Sequence, residues 1–250
     1  MTEQLHRLLP ALATILVLFL VGWIYWPGQY GPALLDDRSS ILVVGDLKSN
    51  PALAWDYVTG DTSGPLGRPV SMASFALEKL LLEDSLATSK RVNIILHLFN
   101  GLLVIWLMRL LFGHFAVPGY RWLALLLGSA WLLSPLYVSS VLYVVQRMAM
   151  LTTTFMLLAL ISFVYWRFRL ARGAFSPALL LLIPLNVVLA LFAKENAVVV
   201  IPVLGLLAAE IVLVKSKHPQ QQQHRDQTRH QPPDRGVDTV GSGDHGPFPA

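Results

Sequence analysis

Leu8 to Trp26 is a run of 19 residues without a charged side chain. As a helix it is about 28 Å long, enough to cross the hydrocarbon core of a bilayer. Comparable apolar stretches recur as far as residue 214. A soluble domain carries about 25% charged residues, whereas this chain has 14%, with 54% hydrophobic. The pattern predicts an all-α polytopic membrane protein of about six transmembrane helices. Cysteine is absent, which excludes a disulfide framework and thiolate metal sites. The net charge of +4 does not imply nucleic acid, because the basic residues stand beside the ends of apolar segments, as membrane topology requires.

The expected spans are 8–26, 93–112, 120–136, 148–166, 177–193 and 196–214. His6 and Arg7 precede the first, which places the N-terminus inside, and Trp23, Tyr25 and Trp26 mark its outer end. Bulky aromatics in place of a small-x-small site argue for an uncleaved anchor rather than a signal peptide. Leu136 to Trp166 is 31 residues, about 46 Å as one helix, too long for one crossing. A break at Gln146-Arg147 leaves Tyr137 to Val145 on the outer surface. Arg167, Arg169 and Arg172 form a short basic inner loop, which agrees with an inside N-terminus. The apolar run from Pro177 to Val214 must reverse near Lys194-Glu195, on the outer side. Beyond Ser216 the composition turns to Gln, His, Pro and Gly, and residues 216–250 read as a disordered polar tail. The abruptness of that change raises a frameshifted or truncated reading frame as an explanation.

The outer loop, 27–92, is the one long polar segment between spans. Val70 to Leu82 reads as a short amphipathic helix lying along the membrane surface. Ala73, Ala76, Leu77, Leu80 and Leu81 form its apolar face, and Glu78, Lys79, Glu83 and Asp84 lie on or just beyond its polar side. Asp36 and Asp37 stand near the start of the loop, followed by Arg38. Such a pair is either a turn or cap element or an acidic site. Asn93, His97 and Asn100 share one helix face. They either join helices by hydrogen bonds or line a site. Arg68, Arg147, Lys194 and Glu195 fall on the same outer side. There the two bases Arg147 and Lys194 are unexplained by topology. They admit three readings: headgroup contact, an Arg147–Glu195 ion pair, or a clamp for a lipid-linked phosphate. Acids facing such a phosphate would hold a divalent metal or deprotonate an acceptor hydroxyl.

The ordered set resembles the GT-C superfamily of polytopic glycosyltransferases. Within it, the set is similar to the protein O-mannosyltransferase-like membrane region of tetratricopeptide-repeat (TMTC-like) proteins and their bacterial relatives. The pieces are Asp36-Asp37, Arg68-Pro69, Asn93-x-x-x-His97-x-x-Asn100, Pro135, Tyr143 to Met148 and Ala193-Lys194-Glu195, over roughly residues 10 to 215. The resemblance implies a polyprenyl- or dolichyl-phosphate-linked sugar donor. The acceptor, a protein or glycan, would stand on the outer face of a bacterial inner membrane or in the lumen of the endoplasmic reticulum. It makes Asp36 or Asp37 the acidic active-site residue, and the pair the ligands of a divalent metal if one is used. Arg147 and Lys194 become the donor-phosphate contacts, supported by Arg68, His97, Asn100 and Glu195. The chain departs from the family at Ser134, Ser139 and Lys90, where His, Glu and His are usual. The family carries further spans after its Lys-Glu motif, so the resemblance implies an N-terminal portion of a longer protein. A non-catalytic relative is the alternative. A lipid-substrate transporter fits less well, because the polar groups gather at one membrane boundary rather than at midplane and no internal repeat is present.

Overall fold

The structure is a computed structural model that describes residues 2–37, 47–62 and 64–209. The described residues form helices, turns and loops, with no strand among them. The chain divides into two units, Met1–Leu204 and Gly205–Ala250. The candidate site lies within the first. Arg38, the tail 216–250 and the last part of the sixth expected span lie outside the described residues.

Helix α1, Thr2–Tyr25, continues as a 3₁₀ turn through Tyr30. Two short helices follow in the polar segment, α2 (Leu53–Thr59) and α3 (Pro69–Leu81). Then come α4 (Leu86–His114), α5 (Tyr120–Leu132), the single-turn α6 (Val138–Leu142), α7 (Arg147–Ala171) and α8 (Pro177–Ala193). A 3₁₀ turn at Glu195–Val199 leads into the final described helix. Three stretches are long and apolar enough to cross a membrane: Leu8–Tyr30, Leu86–His114 and Val144–Ala171. The pair Tyr120–Leu132 and Pro135–Leu142, bent by 46°, makes a fourth if it is one span. The remaining apolar helices, Pro177–Ala193 and Glu195–Ala209, are shorter than 18 residues.

Local chemistry explains the breaks. Ser85 caps α4, its hydroxyl accepting from the backbone N–H of Thr88 at 3.2 Å, which satisfies one of the free donors at that end. Pro135 has no N–H and forces Ser134 into an extended conformation, with ψ 124°, so α5 ends there. Tyr143, with ψ 110°, makes the second break. Lys194 is extended, with φ −163° and ψ 138°, so α8 cannot run on into the following turn.

Helix α4 is central and packs against α1, α5 and α7, while α8 lies along α7. Val21, Tyr25, Ile94, Leu132, Val141 and Met150 form one buried cluster near the polar segment. Leu103, Leu107, Ile161 and Val164 form a second near the opposite end. Leu12, Ile15 and Phe19 of α1 stay exposed, the kind of surface that acyl chains cover.

The contact between α4 and α5 depends on two glycines. A Cβ on Gly128 would stand 2.2 Å from Cγ1 of Ile105, and one on Gly101 2.2 Å from Cδ2 and 2.5 Å from Cγ of Leu132. Ile105 and Leu132 are fully buried, so neither can turn aside. Small residues at such crossings let backbones approach closely. Gly101→Ala and Gly128→Ala are each expected to cost about 1–3 kcal/mol through overpacking. Thermal unfolding in detergent measures this, and midpoints equal to wild type would contradict the close contact.

Candidate functional site

Polar residues from six separate stretches meet where the described parts of segment 27–92 reach the ends of the helices, termed here the loop end. Arg147 opens α7 and is only 1% exposed. Its Nε donates to Oδ1 of Asn93 at 2.9 Å and its Nη2 to the carbonyl of Ser89 at 2.9 Å. It forms an ion pair with Glu78 and lies 4.4 Å from the centre of the Phe75 ring. The Ser89 hydroxyl donates to Glu78 as well. Arg147 is therefore a buried structural cation rather than an open phosphate clamp, and its acid is Glu78, not Glu195.

That pairing turns α3 over relative to the expectation. Glu78 and Lys79, placed on the polar side by the sequence pattern, are buried, and Lys79 Nζ pairs with Asp84 at 3.1 Å. Leu77 and Leu81 face outward at 58% and 70% exposure. A buried guanidinium is stable only with an opposite charge beside it, and Glu78 supplies that charge. At a bilayer border, outward leucines meet acyl chains rather than water.

Glu195 pairs with Arg68 in a two-point contact, Nη2 to Oε1 at 2.8 Å and Nε to Oε2 at 3.2 Å. Arg68 Nη1 also reaches Sδ of Met148 at 3.4 Å, next to Arg147. The Arg68 guanidinium holds the Glu195 carboxyl far below the ordinary range, at about 2. The same contact raises Arg68. A folded-state pKa below the unfolded value of 4.5 stabilises the protein at pH above 4.5. That contribution is lost as pH falls from 4.5 towards 2. Wild type is therefore expected to lose thermal stability over this window more steeply than Arg68→Gln. Parallel pH profiles for the two proteins would rule out the contribution.

The two acids have different surroundings. Asp37 is 1% exposed, and each carboxylate oxygen accepts a backbone N–H, Oδ2 from Leu34 at 3.1 Å and Oδ1 from Val145 at 2.9 Å. It ties the loop to the break before α7 and satisfies a donor freed by that break. Asn93 serves the same break from the other side. Its Nδ2 donates to the carbonyls of Val141, Tyr143 and Val144 at 3.2, 3.3 and 3.3 Å. Asp36 is exposed. Its N–H donates to the Tyr143 hydroxyl at 3.1 Å, which in turn donates to Oδ2 of Asp36 at 3.2 Å. Leu35 beside it has φ 31°, a strained conformation for a residue with a side chain.

His97 and Asn100 serve packing. His97 is buried among Tyr25, Trp131 and Tyr137, and one ring nitrogen bonds the Leu132 carbonyl at 3.1 Å. Asn100 donates to the Met150 carbonyl at 2.9 Å and accepts from Thr154 at 2.7 Å, joining α4 to α7. Lys194 is half-buried, and no described hydrogen bond or ion pair engages its ammonium.

Sequence reasoning missed three participants. Glu78 was assigned to the outward side of α3. Lys90 is buried and donates to the carbonyls of Gly31 and Pro32 at 2.8 and 2.9 Å, pinning the start of the loop. Tyr57 lies on α2, where no helix was expected. Burial, followed by the charge of Asp61, pushes its phenol up to about 12. The unbroken polarity of Thr88-Ser89-Lys90-Arg91 at the head of an apolar helix is the signal that could have revealed the first two.

Among the described residues, no group of three or more His, Asp or Glu could hold a metal ion. Asp37 accepts one backbone N–H on each carboxylate oxygen. No family model, curated protein or solved structure matches the chain; its site is the loop-end polar network of an all-helical membrane protein, with Asp36 exposed and Asp37, Glu78, Lys90, Asn93 and Arg147 buried.

Proposed function

We propose that the chain is the membrane part, or its N-terminal portion, of a glycosyltransferase. It would transfer a sugar from a polyprenyl- or dolichyl-phosphate donor to a hydroxyl of a protein or glycan acceptor. The observation that carries this reading is the convergence of the separated polar motifs at one end of the bundle, where the Asp36 side chain is exposed. In this reading Asp36, exposed and held by the Tyr143 hydroxyl, is the acid, and Lys194 is the donor-phosphate contact. Asp37, Arg68, Arg147 and Glu195 act as the frame, and His97 and Asn100 hold the spans beneath it.

In the reaction, Asp36 takes the proton from the acceptor hydroxyl as its oxygen bonds to the anomeric carbon. The bond from that carbon to the phosphate oxygen breaks. Lys194 offsets the charge on the departing polyprenyl phosphate. The reading uses six spans, with 177–193 and 196–214 as the last two, an inside N-terminus and an outward-facing loop end. It places the protein in a bacterial inner membrane facing the periplasm, or in the endoplasmic reticulum facing the lumen.

A second reading is a non-catalytic membrane protein of the same ancestry, favoured by the burial of Arg147 and Asp37 in internal contacts. The two are separated by a transfer assay in membranes with a radiolabelled polyprenyl-phosphate sugar. The glycosyltransferase reading expects label in the acceptor fraction, lost in Asp36→Asn and reduced in Lys194→Gln at unchanged protein level. Equal label from wild type and Asp36→Asn sinks it.

A further inference from the structure

Tyr143 is the extended residue between α6 and the turn that leads into α7. Two buried side chains hold the main chain around it. Asn93, fully buried, donates to the carbonyls of Val141, Tyr143 and Val144. Asp37, 1% exposed, accepts the N–H of Val145. The break is thus fixed on both sides by groups that satisfy its freed donors and acceptors, and the Tyr143 ring starts from a fixed point.

From there its hydroxyl meets Asp36 twice. It accepts from the Asp36 N–H at 3.1 Å and donates to Oδ2 of the same residue at 3.2 Å. Asp36 is the third residue of a tight turn. The Asp37 N–H donates to the Leu34 carbonyl at 2.8 Å, and the Leu34 N–H to Oδ2 of Asp37 at 3.1 Å. Lys90 holds the approach to this turn through the carbonyls of Gly31 and Pro32. The turn fixes where the Asp36 backbone stands. It does not fix where the carboxylate points, because an exposed side chain changes rotamer freely in water. A hydroxyl that binds both the N–H and the carboxylate of one residue selects the rotamer that brings those two groups together.

We propose that Tyr143 is a positioning residue, whose hydroxyl aims the Asp36 carboxylate at the acceptor. This rests on the transferase reading, in which Asp36 takes the acceptor proton. A general base acts only within hydrogen-bond reach of that proton, and a misplacement of about 1 Å costs on the order of a hundredfold. Tyr143 acts through Asp36 and takes no proton itself. Since Asn93 and Asp37 hold the break, removing the hydroxyl loosens the carboxylate and leaves the fold in place.

The test follows transfer from radiolabelled polyprenyl-phosphate mannose to the proteins of membranes that carry the full chain. Maximal rate and donor KM are measured for wild type, Asp36→Asn, Asp36→Glu, Tyr143→Phe and the Asp36→Glu/Tyr143→Phe double variant, with thermal midpoints in detergent. Tyr143→Phe is expected to lower the maximal rate by roughly ten- to hundredfold. Its donor KM and midpoint should stay at wild type, the signature of an interaction that counts in the transition state. Asp36→Glu keeps the charge but moves the carboxylate by one methylene relative to the Tyr143 hydroxyl, and should lose a similar factor. Both substitutions spoil one placement, so the double variant should be no slower than the slower single. Three results overturn the positioning role while leaving the transferase reading in place, provided Asp36→Asn abolishes transfer: a wild-type rate in Tyr143→Phe, a loss confined to KM, or single losses that multiply in the double variant. Equal rates for wild type and Asp36→Asn overturn both. Should Tyr143→Phe fail to fold, Asp36→Glu decides: a lowered rate at unchanged KM supports the role, and a wild-type rate overturns it.

Discussion

Arg147→Met is expected to destabilise the protein by about 3–5 kcal/mol, the range for removing one partner of a buried ion pair. The substitution leaves the Glu78 carboxylate, 7% exposed, with only the Ser89 hydroxyl for company. It also strands Oδ1 of Asn93, which accepts from Arg147 at 2.9 Å. Glu78→Leu alone should be comparably harmful, since it leaves a guanidinium buried against Phe75 without a counter-ion. The double variant should recover much of the loss, because apolar residues of similar volume can replace a buried pair at little net cost. A remainder of about 1–3 kcal/mol is expected from the unsatisfied Asn93 and Ser89 side chains. Unfolding of the four proteins in one detergent gives the cycle. A double variant as unstable as the sum of the singles would mean that Arg147 and Glu78 do not act as a pair.

The adjacent acids should separate cleanly by what they lose. Asp37→Asn keeps the shape but presents an amide to at least one of two backbone donors, at Leu34 and Val145. A loss of about 1.5–3 kcal/mol is expected, the scale for hydrogen bonds to a charged group. Asp36→Asn, on an exposed side chain, should stay within about 0.5 kcal/mol of wild type. Under the transferase reading it should nonetheless cut the transfer rate by about 10²–10⁴-fold, the contribution of a positioned general base. The pair of measurements is therefore a thermal midpoint and a transfer rate for each variant. Transfer that depends on neither residue would leave the loop end a structural knot, whereas stability loss from Asp36→Asn alone would reverse the assignment of the two acids.

Apolar length and punctuation located most of the helices. Pro177 to Ala193 was readable residue for residue, because a proline opens it and Lys194-Glu195 closes it. The break before Arg147 was readable from length alone, since 31 residues exceed any one crossing. The number of spans was less legible. The stretch after Ser134 bends twice, and a pattern of apolar residues says nothing about a bend whose freed N–H and carbonyl groups are satisfied by Asp37 and Asn93 from distant parts of the chain.

For the candidate site, helix count and charge bias led to the expectation that Asp36, Asp37, Arg68, Arg147, Lys194 and Glu195 share one side of the membrane. Which charge meets which was decided by tertiary structure. Arg68 and Arg147 are equivalent as side chains, and Glu78 and Glu195 likewise. The packing of α3 against α7 and α8 puts Glu78 on Arg147 and leaves Glu195 to Arg68. The same packing buries Asp37 and exposes Asp36. Hydrophobicity is a property of each segment and can be read locally. Ion pairing and burial depend on how helices distant in sequence align across a few ångströms, and only the folded chain sets that alignment.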